Sequence, residues 1–479
     1  MRHLTAHHPI AQRRPPHPEN TEGEYYGVRK FRMSRPLVTI CSARRRLRRV
    51  PAALPLLAAA LLAAATAGAQ SIAEPVNREL PPWLRVGGEY RARLEATEDR
   101  GFAPGLDDTY LLNRIRANLK VQPSPWMKFV FQGQDDRVFF NDVVPNAPPY
   151  ENHLDLRMGY LELGDPDSRT ISLRAGRQEI NFGDQRLVGS SNWSNNARTF
   201  DAVRATFRYH GYRLDAFASS VVVANADGLD RPNPGDNLHG LYGGIEKLVP
   251  QAVIEPYLFW RLSPRQATET GGHGNLDSKT VGVRWVGKVP RHLDYATEMA
   301  LQRGSLGTDR VRAWAGHWVA GYTLDAAWKP RLVAEYNFAS GDHDAKDGTR
   351  GTFDHLYPTP HDKYGLCDQV GWRNIHDMKY GVESKPHRRL GVAASYHNWW
   401  LADPHDALYS ASGSVIARRA DGTAGRHVGQ EADLQAAFSV SKQTTVSAGL
   451  GHIFPGEFLR KATPGHPYTF SFLMLAYTF

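Results

Sequence analysis

From residue 84 onward this 479-residue chain repeats one pattern, short stretches in which apolar and polar side chains alternate with a period of two. Thr170–Phe207 shows it well. Ile171, Leu173 and Ala175 point one way, and Ser172, Arg174 and Gly176 the other. Val203, Ala205 and Phe207 then alternate with Arg204, Thr206 and Arg208. Between these segments lies a polar excursion carrying Arg177, Gln178, Asp184, Arg186 and Arg198. Period-two alternation means a strand with two different faces. In a soluble sandwich the apolar face is core and charge meets bulk water. In a membrane barrel the apolar face meets lipid and charge faces a lumen.

The formal charge of +9 suggests nucleic acid or acidic lipid at first sight. Its distribution excludes that reading. Twelve of the 58 Lys/Arg but three of the 49 Asp/Glu lie in residues 1–69, which leaves 46 of each afterwards. Residues 1–69 read as a leader. Arg44–Arg49 is basic, Val50–Ala67 is rich in Ala and Leu, and Ala67-Gly68-Ala69 suits cleavage before Gln70. Pro51 and Pro55 argue against a spanning anchor. Met33 precedes a leader of more usual length, so residues 1–32 read as an over-extended start and residues 70–479 as one domain. Cys41 falls in the leader and Cys367 stands alone after it, so no disulfide is expected within the mature chain.

Alternating segments recur through the rest of the chain. In Leu84–Glu95, Leu84, Val86, Tyr90 and Leu94 oppose Arg85, Glu89, Arg91 and Arg93. In Leu111–Val121, Leu111, Ile115 and Leu119 oppose Arg114, Arg116 and Lys120. Later segments include Val253–Arg261, Arg331–Phe338, Gly429–Phe438 and Tyr468–Phe479. Trp83, Tyr110, Trp126, Tyr150, Tyr257, Trp260, Trp314, Trp399, Trp400 and Tyr468 fall near segment ends, as membrane-interface aromatics do. Leu473, Leu475, Tyr477 and the terminal Phe479 share one face, like the closing strand of a bacterial outer-membrane barrel. The expected fold is all-β: an antiparallel transmembrane β-barrel of about 18 strands (about 16 is the alternative count), with short periplasmic turns and long external loops. Its place is the outer membrane of a Gram-negative bacterium, in contact with lipid and lipopolysaccharide, as a monomer.

Three blocks carry a family resemblance. The first is Arg174–Asp201, with Arg-Ala-Gly-Arg-Gln, Gly-Asp-Gln-Arg-Leu-Val-Gly, Trp193 and Arg-Thr-Phe-Asp. The second runs from Ser340-Gly341-Asp342 through Gly351–His361 (GTFDHLYPTPH) to Gly371–Ile375. The third is Gly429–Leu434, followed by Gly449–Gly456. In these the chain resembles the alginate export family of outer-membrane barrels. The resemblance implies an 18-stranded barrel whose arginine-rich lumen passes a polyanionic uronate polymer. It also implies that a synthase and a periplasmic scaffold drive export, with no cofactor.

Guanidinium chemistry agrees, since arginine stays charged and grips carboxylate through two parallel hydrogen bonds. The lumen candidates are Arg91, Arg93, Arg114, Arg116, Arg174, Arg177, Arg186, Arg198 and Arg204, with Glu89, Asp184 and Asp201 as acidic partners. For each arginine, a wall-bracing ion pair competes with substrate contact. The function expected is passive export of an anionic, alginate-like polysaccharide. The alternatives are uptake of small anionic solutes and, more distantly, a membrane-embedded hydrolase. No G-x-S-x-G supports the last. Asp342, Asp344 and Asp347 are a weak calcium candidate whose spacing departs from the EF-hand loop. His343, His355 and His361 share the same loop region without a metal-ligand spacing.

Overall fold

The computed structural model describes residues 72–165, 167 and 170–479, so the leader reading lies outside the described residues. A short helix, Ala73–Glu79, leads into the first strand. Nine strands follow in order: β1 (Leu84–Glu98), β2 (Asp108–Ser124), β3 (Met127–Phe139), β4 (Asn152–Leu163), β5 (Ile171–Gln178), β6 (Phe200–Tyr209), β7 (Tyr212–Val223), β8 (Arg231–Ile245) and β9 (Ala252–Ala267). The second half continues with β10 (His273–Val289), β11 (Leu293–Leu306), β12 (Asp309–Thr323), β13 (Arg331–Ala339), β14 (Thr349–Arg350), β15 (Ile375–His387), β16 (Leu390–Leu401), β17 (Ala407–Tyr409), β18 (Val415–Arg418), β19 (His427–Ser439), β20 (Thr444–Pro455) and β21 (Tyr468–Thr478).

Eighteen of these strands close an antiparallel barrel, each paired with the next along the chain, with β13 followed by β15 and β16 by β19. β21 returns to β1 with Tyr90 opposite Tyr477. The last residue completes the seam, where Gly88 and Phe479 exchange two backbone hydrogen bonds at 2.8 and 3.0 Å. Gly88 needs its missing side chain there, because a Cβ would meet the Phe479 ring at 2.5 Å. β14, β17 and β18 belong to loops. β14 lies parallel to β12, and β17 pairs with β18 in a hairpin of its own.

The strands outrun the alternating segments. β8 begins at Arg231 and β10 at His273, in stretches too polar to show two faces. They extend past the apolar belt, where both sides of the sheet meet polar surroundings. β8 also carries Pro232 and Pro234 beside a register shift opposite Ser220/Val221, which a strand end tolerates. Turns at one end are short, as at 125–126, 210–211 and 388–389. The other end carries long loops at 140–151, 179–199, 340–374 and 402–426.

Alternation decides what lies outside. Ile115, Leu241, Leu258, Val281 and Leu301 are exposed on the outer face. Their neighbours Arg114, Arg116, Phe259, Thr280 and Gln302 are buried on the inner one. Trp83, Trp126, Trp260 and Trp314 are exposed, as interface aromatics must be. The interface-aromatic expectation fails for Tyr110, Tyr257, Trp399 and Tyr468, which are buried on the inner face. Position near a strand end does not choose a face; parity does. Leu258→Arg puts a charge on the lipid face near mid-strand and is expected to cost about 2–4 kcal/mol. Urea unfolding in lipid vesicles reads this; a cost under about 1 kcal/mol, the interfacial figure, would place Leu258 away from the hydrocarbon.

Candidate functional site

The inner face of β1 presents Glu89, Arg91, Arg93 and Glu95, and β2 sets Arg116 opposite Glu89 and Arg114 opposite Arg91. Arg114 pairs with Glu89 at 2.5 Å, and Arg93 with Glu95 at 2.5 Å. Tyr110 donates to the other Glu95 oxygen at 2.6 Å. Two carboxylates thus pair directly with two of four neighbouring guanidiniums.

Gln134 of β3 accepts from Arg116, and the loop at 179–199 supplies further acceptors. It turns inward, and its Asn192–Asn195 stretch lies against β1 and β2. Arg91 donates to the carbonyls of Asn192 at 2.9 Å and Ser194 at 3.2 Å. Arg114 donates to the carbonyls of Asn192, Ser194 and Asn195 at 3.1–3.2 Å. Arg116 reaches Asn192 Oδ1 at 2.8 Å. Arg93 donates to the Trp193 carbonyl at 2.7 Å and lies 3.7 Å from its ring centroid. The other side of that ring system stacks on His361 with centroids 3.7 Å apart and planes 3° apart. Asn195 donates to the carbonyls of Asn113 and Tyr150. Each guanidinium–carbonyl bond is charge-assisted and at least partly buried, so this loop is fastened to the wall.

Three candidates join loops to each other and to the wall. Arg186 pairs with Glu335 of β13 at 2.9 Å and Asp184 at 3.2 Å, and donates to the Tyr364 hydroxyl at 3.2 Å. Asp184 also meets Lys363 at 3.2 Å. Arg198 donates to the carbonyls of Gly189 and Pro358, tying the 179–199 loop to the 340–374 loop. Burial, with Arg261 nearby, pulls its pKa down to about 10, which still leaves it charged at neutral pH.

The others sit apart from this cluster. Arg174 bonds to Glu162 on the wall. Arg204 bonds to Asp215 at 2.8 Å. Arg177 and Asp201 pair with each other at 2.9 Å. By strand parity these two share the outward set of Ile171 and Val203, one residue out of phase with Arg174 and Arg204. The calcium candidates do not converge. Asp342, Asp344 and Asp347 each accept a separate local backbone hydrogen bond, from Gly351, Lys346 and Thr349.

The 340–374 loop buries Phe353, Leu356, Tyr357, Tyr364, Leu366 and Trp372. They join one apolar cluster with Ile180, Phe182 and Leu187 of the other loop and with Phe259 and Trp399 of the wall. Trp372 donates to the Phe338 carbonyl at 2.9 Å. Toward the short-turn end two cavities share Arg331. One of about 760 Å³ is lined by Trp193, Trp328, His361, Lys385 and Phe472. The other, of about 890 Å³, is lined by Arg284, Lys288, Lys363, Lys379 and Glu383.

Sequence reasoning missed the loop residues that the arginines hold. Asn192–Asn195 carry no charge, and carbonyl acceptors leave no compositional trace. Trp193, isolated within a Ser/Asn run, was the available signal. It also missed Arg261, which pairs with Asp354 at 2.6 Å and Asp236 at 3.3 Å.

Known proteins agree with this architecture. The barrel is similar to Pseudomonas aeruginosa OpdQ, at 11% identity and a TM-score of 0.57, covering 84% of this chain and 99% of that one. It is similar to Acinetobacter baumannii OccAB2, at 10% identity and a TM-score of 0.55, covering 82% and 98%. No curated protein sequence matches the chain. Residues 82–469, most of the barrel, match the alginate export family. With a closed 18-stranded barrel and a porin-like fold, the protein is a channel of the Gram-negative outer membrane, and it belongs to the alginate export family.

Proposed function

We propose that this channel passes small carboxylate-bearing solutes of the uronate type, and that its loop-narrowed lumen excludes long polymer. The observation that carries this is the fastening of Asn192–Asn195 by Arg91, Arg93, Arg114 and Arg116. A loop held by that many charge-assisted bonds stays in the lumen as solute passes. The same cluster favours anions. Its four guanidiniums meet two directly paired carboxylates, Glu89 and Glu95, with one further carboxylate, Asp136, buried beside them. Local clustering supplies the selectivity that a formally neutral barrel lacks overall. No covalent chemistry is required of the chain, and one barrel encloses the whole path, so a monomer suffices.

Polymer export is the second reading, and membership of the alginate export family favours it. Planar-bilayer recording separates the two. Under a salt gradient the reversal potential is expected to show anion preference. Glucuronate is expected to permeate, and polyuronate to leave the current unchanged. Block by polyuronate from the periplasmic side supports export instead, and equal anion and cation permeability removes both.

A further inference from the structure

His343 stands in the 340–374 loop, and Asp403 and His405 stand in the 402–426 loop. We infer that these three side chains form a divalent transition-metal site that clips the two loops together at the outer mouth of the barrel. Their ligand atoms all lie within 4.8 Å of one another. His343 Nδ1 is 3.0 Å from Asp403 Oδ2, and His405 Nδ1 is 2.9 Å from Asp403 Oδ1. The two imidazoles meet edge to face with centroids 4.4 Å apart.

Asp403 Oδ1 also accepts the His405 backbone N–H at 2.9 Å. Two histidines, distant in sequence, thus bring the same ring nitrogen to the two oxygens of this carboxylate. With metal–ligand bonds near 2.0–2.1 Å, the edge of a tetrahedral zinc site is about 3.3 Å. The nitrogen–oxygen distances of 3.0 and 2.9 Å run to different oxygens of Asp403, so the carboxylate chelates the metal through both oxygens or turns to present one. The metal binds the Nδ1 lone pairs, and each neutral imidazole then carries its one proton on Nε2.

Asp403 is already positioned. Its backbone N–H donates to Asn374 Oδ1 at 2.7 Å, and its carbonyl accepts from Asn374 Nδ2 at 3.0 Å. The surroundings suit a cation. A cavity of about 280 Å³ beside the histidines is lined by four carboxylates, Glu269, Asp342, Asp344 and Asp406, against two cations, Lys346 and Arg418, the latter paired with Asp406. A His₂-carboxylate set selects zinc and its neighbours over calcium or magnesium, which prefer oxygen alone. His343 is exposed and His405 partly so, which leaves room for water on the remaining coordination positions.

Zn²⁺ is the probe, titrated calorimetrically into the untagged full-length barrel refolded in detergent at pH 7.5. One ion per barrel is expected. Co²⁺ is expected to give the visible absorption of a low-coordinate site. His343→Ala and His405→Ala each reduce Zn²⁺ affinity at least tenfold, whereas His273→Ala, at the start of β10, leaves it intact. A wild type that takes up no Zn²⁺ at micromolar concentration overturns the inference. So does unchanged binding in the His343→Ala/His405→Ala double variant.

Discussion

Arg114→Ala is expected to destabilise the barrel by about 3–5 kcal/mol, the range for removing one partner of a buried ion pair. The Arg114 side chain is 1% exposed and holds Glu89 and three loop carbonyls at once. Glu89 is 26% exposed and regains some hydration, which pulls the value toward the low end. The carbonyls of Asn192, Ser194 and Asn195 lose a charged donor that no neighbour replaces in full. Urea unfolding in lipid vesicles reads the change. Arg114→Lys restores the charge but not the planar fork, so it recovers part of the loss. A variant as stable as the wild type would mean that the cluster does not hold the loop.

Trp372→Ala is the second large effect. Loss of a fully buried tryptophan typically costs about 3–5 kcal/mol. Trp372 is 0% exposed, packs edge to face on Phe353 at 5.5 Å and donates to the Phe338 carbonyl. The barrel wall does not need that packing to stay closed, because its strands pair with each other. The cost therefore falls on the 340–374 loop, as local opening. Trypsin is expected to cut at Lys363 and Arg373 in the variant while the 18-stranded wall remains resistant to denaturation by detergent. Resistance of both sites to trypsin would show that the loop is held elsewhere.

The wall was legible in the sequence because lipid and lumen impose opposite chemistry on adjacent residues. That is why Ile115 and Arg116 reveal their faces without any structure. Strand ends were less legible, since beyond the apolar belt both faces are polar and alternation stops. The candidate arginines divide along the same line. Arg91, Arg93, Arg114 and Arg116 sit on the inner face that alternation assigns them. Arg177 was grouped with them by composition, although its parity matches Ile171. The loop interior was the least legible part. Phe353, Tyr364 and Trp372 lie in a stretch without period, and their burial depends on contacts with strands far away in the chain. The meeting of His343 with His405 was hidden for the same reason.

In the function proposed, the loop fastened by β1 and β2 sets the width of the path. Single-channel conductance of the wild type and of Arg114→Ala, recorded in the same bilayer and salt, tests it most directly. Release of Asn192–Asn195 is expected to raise the open conductance several-fold and to add gating noise. Equal conductance and equal noise in the two proteins would contradict the account.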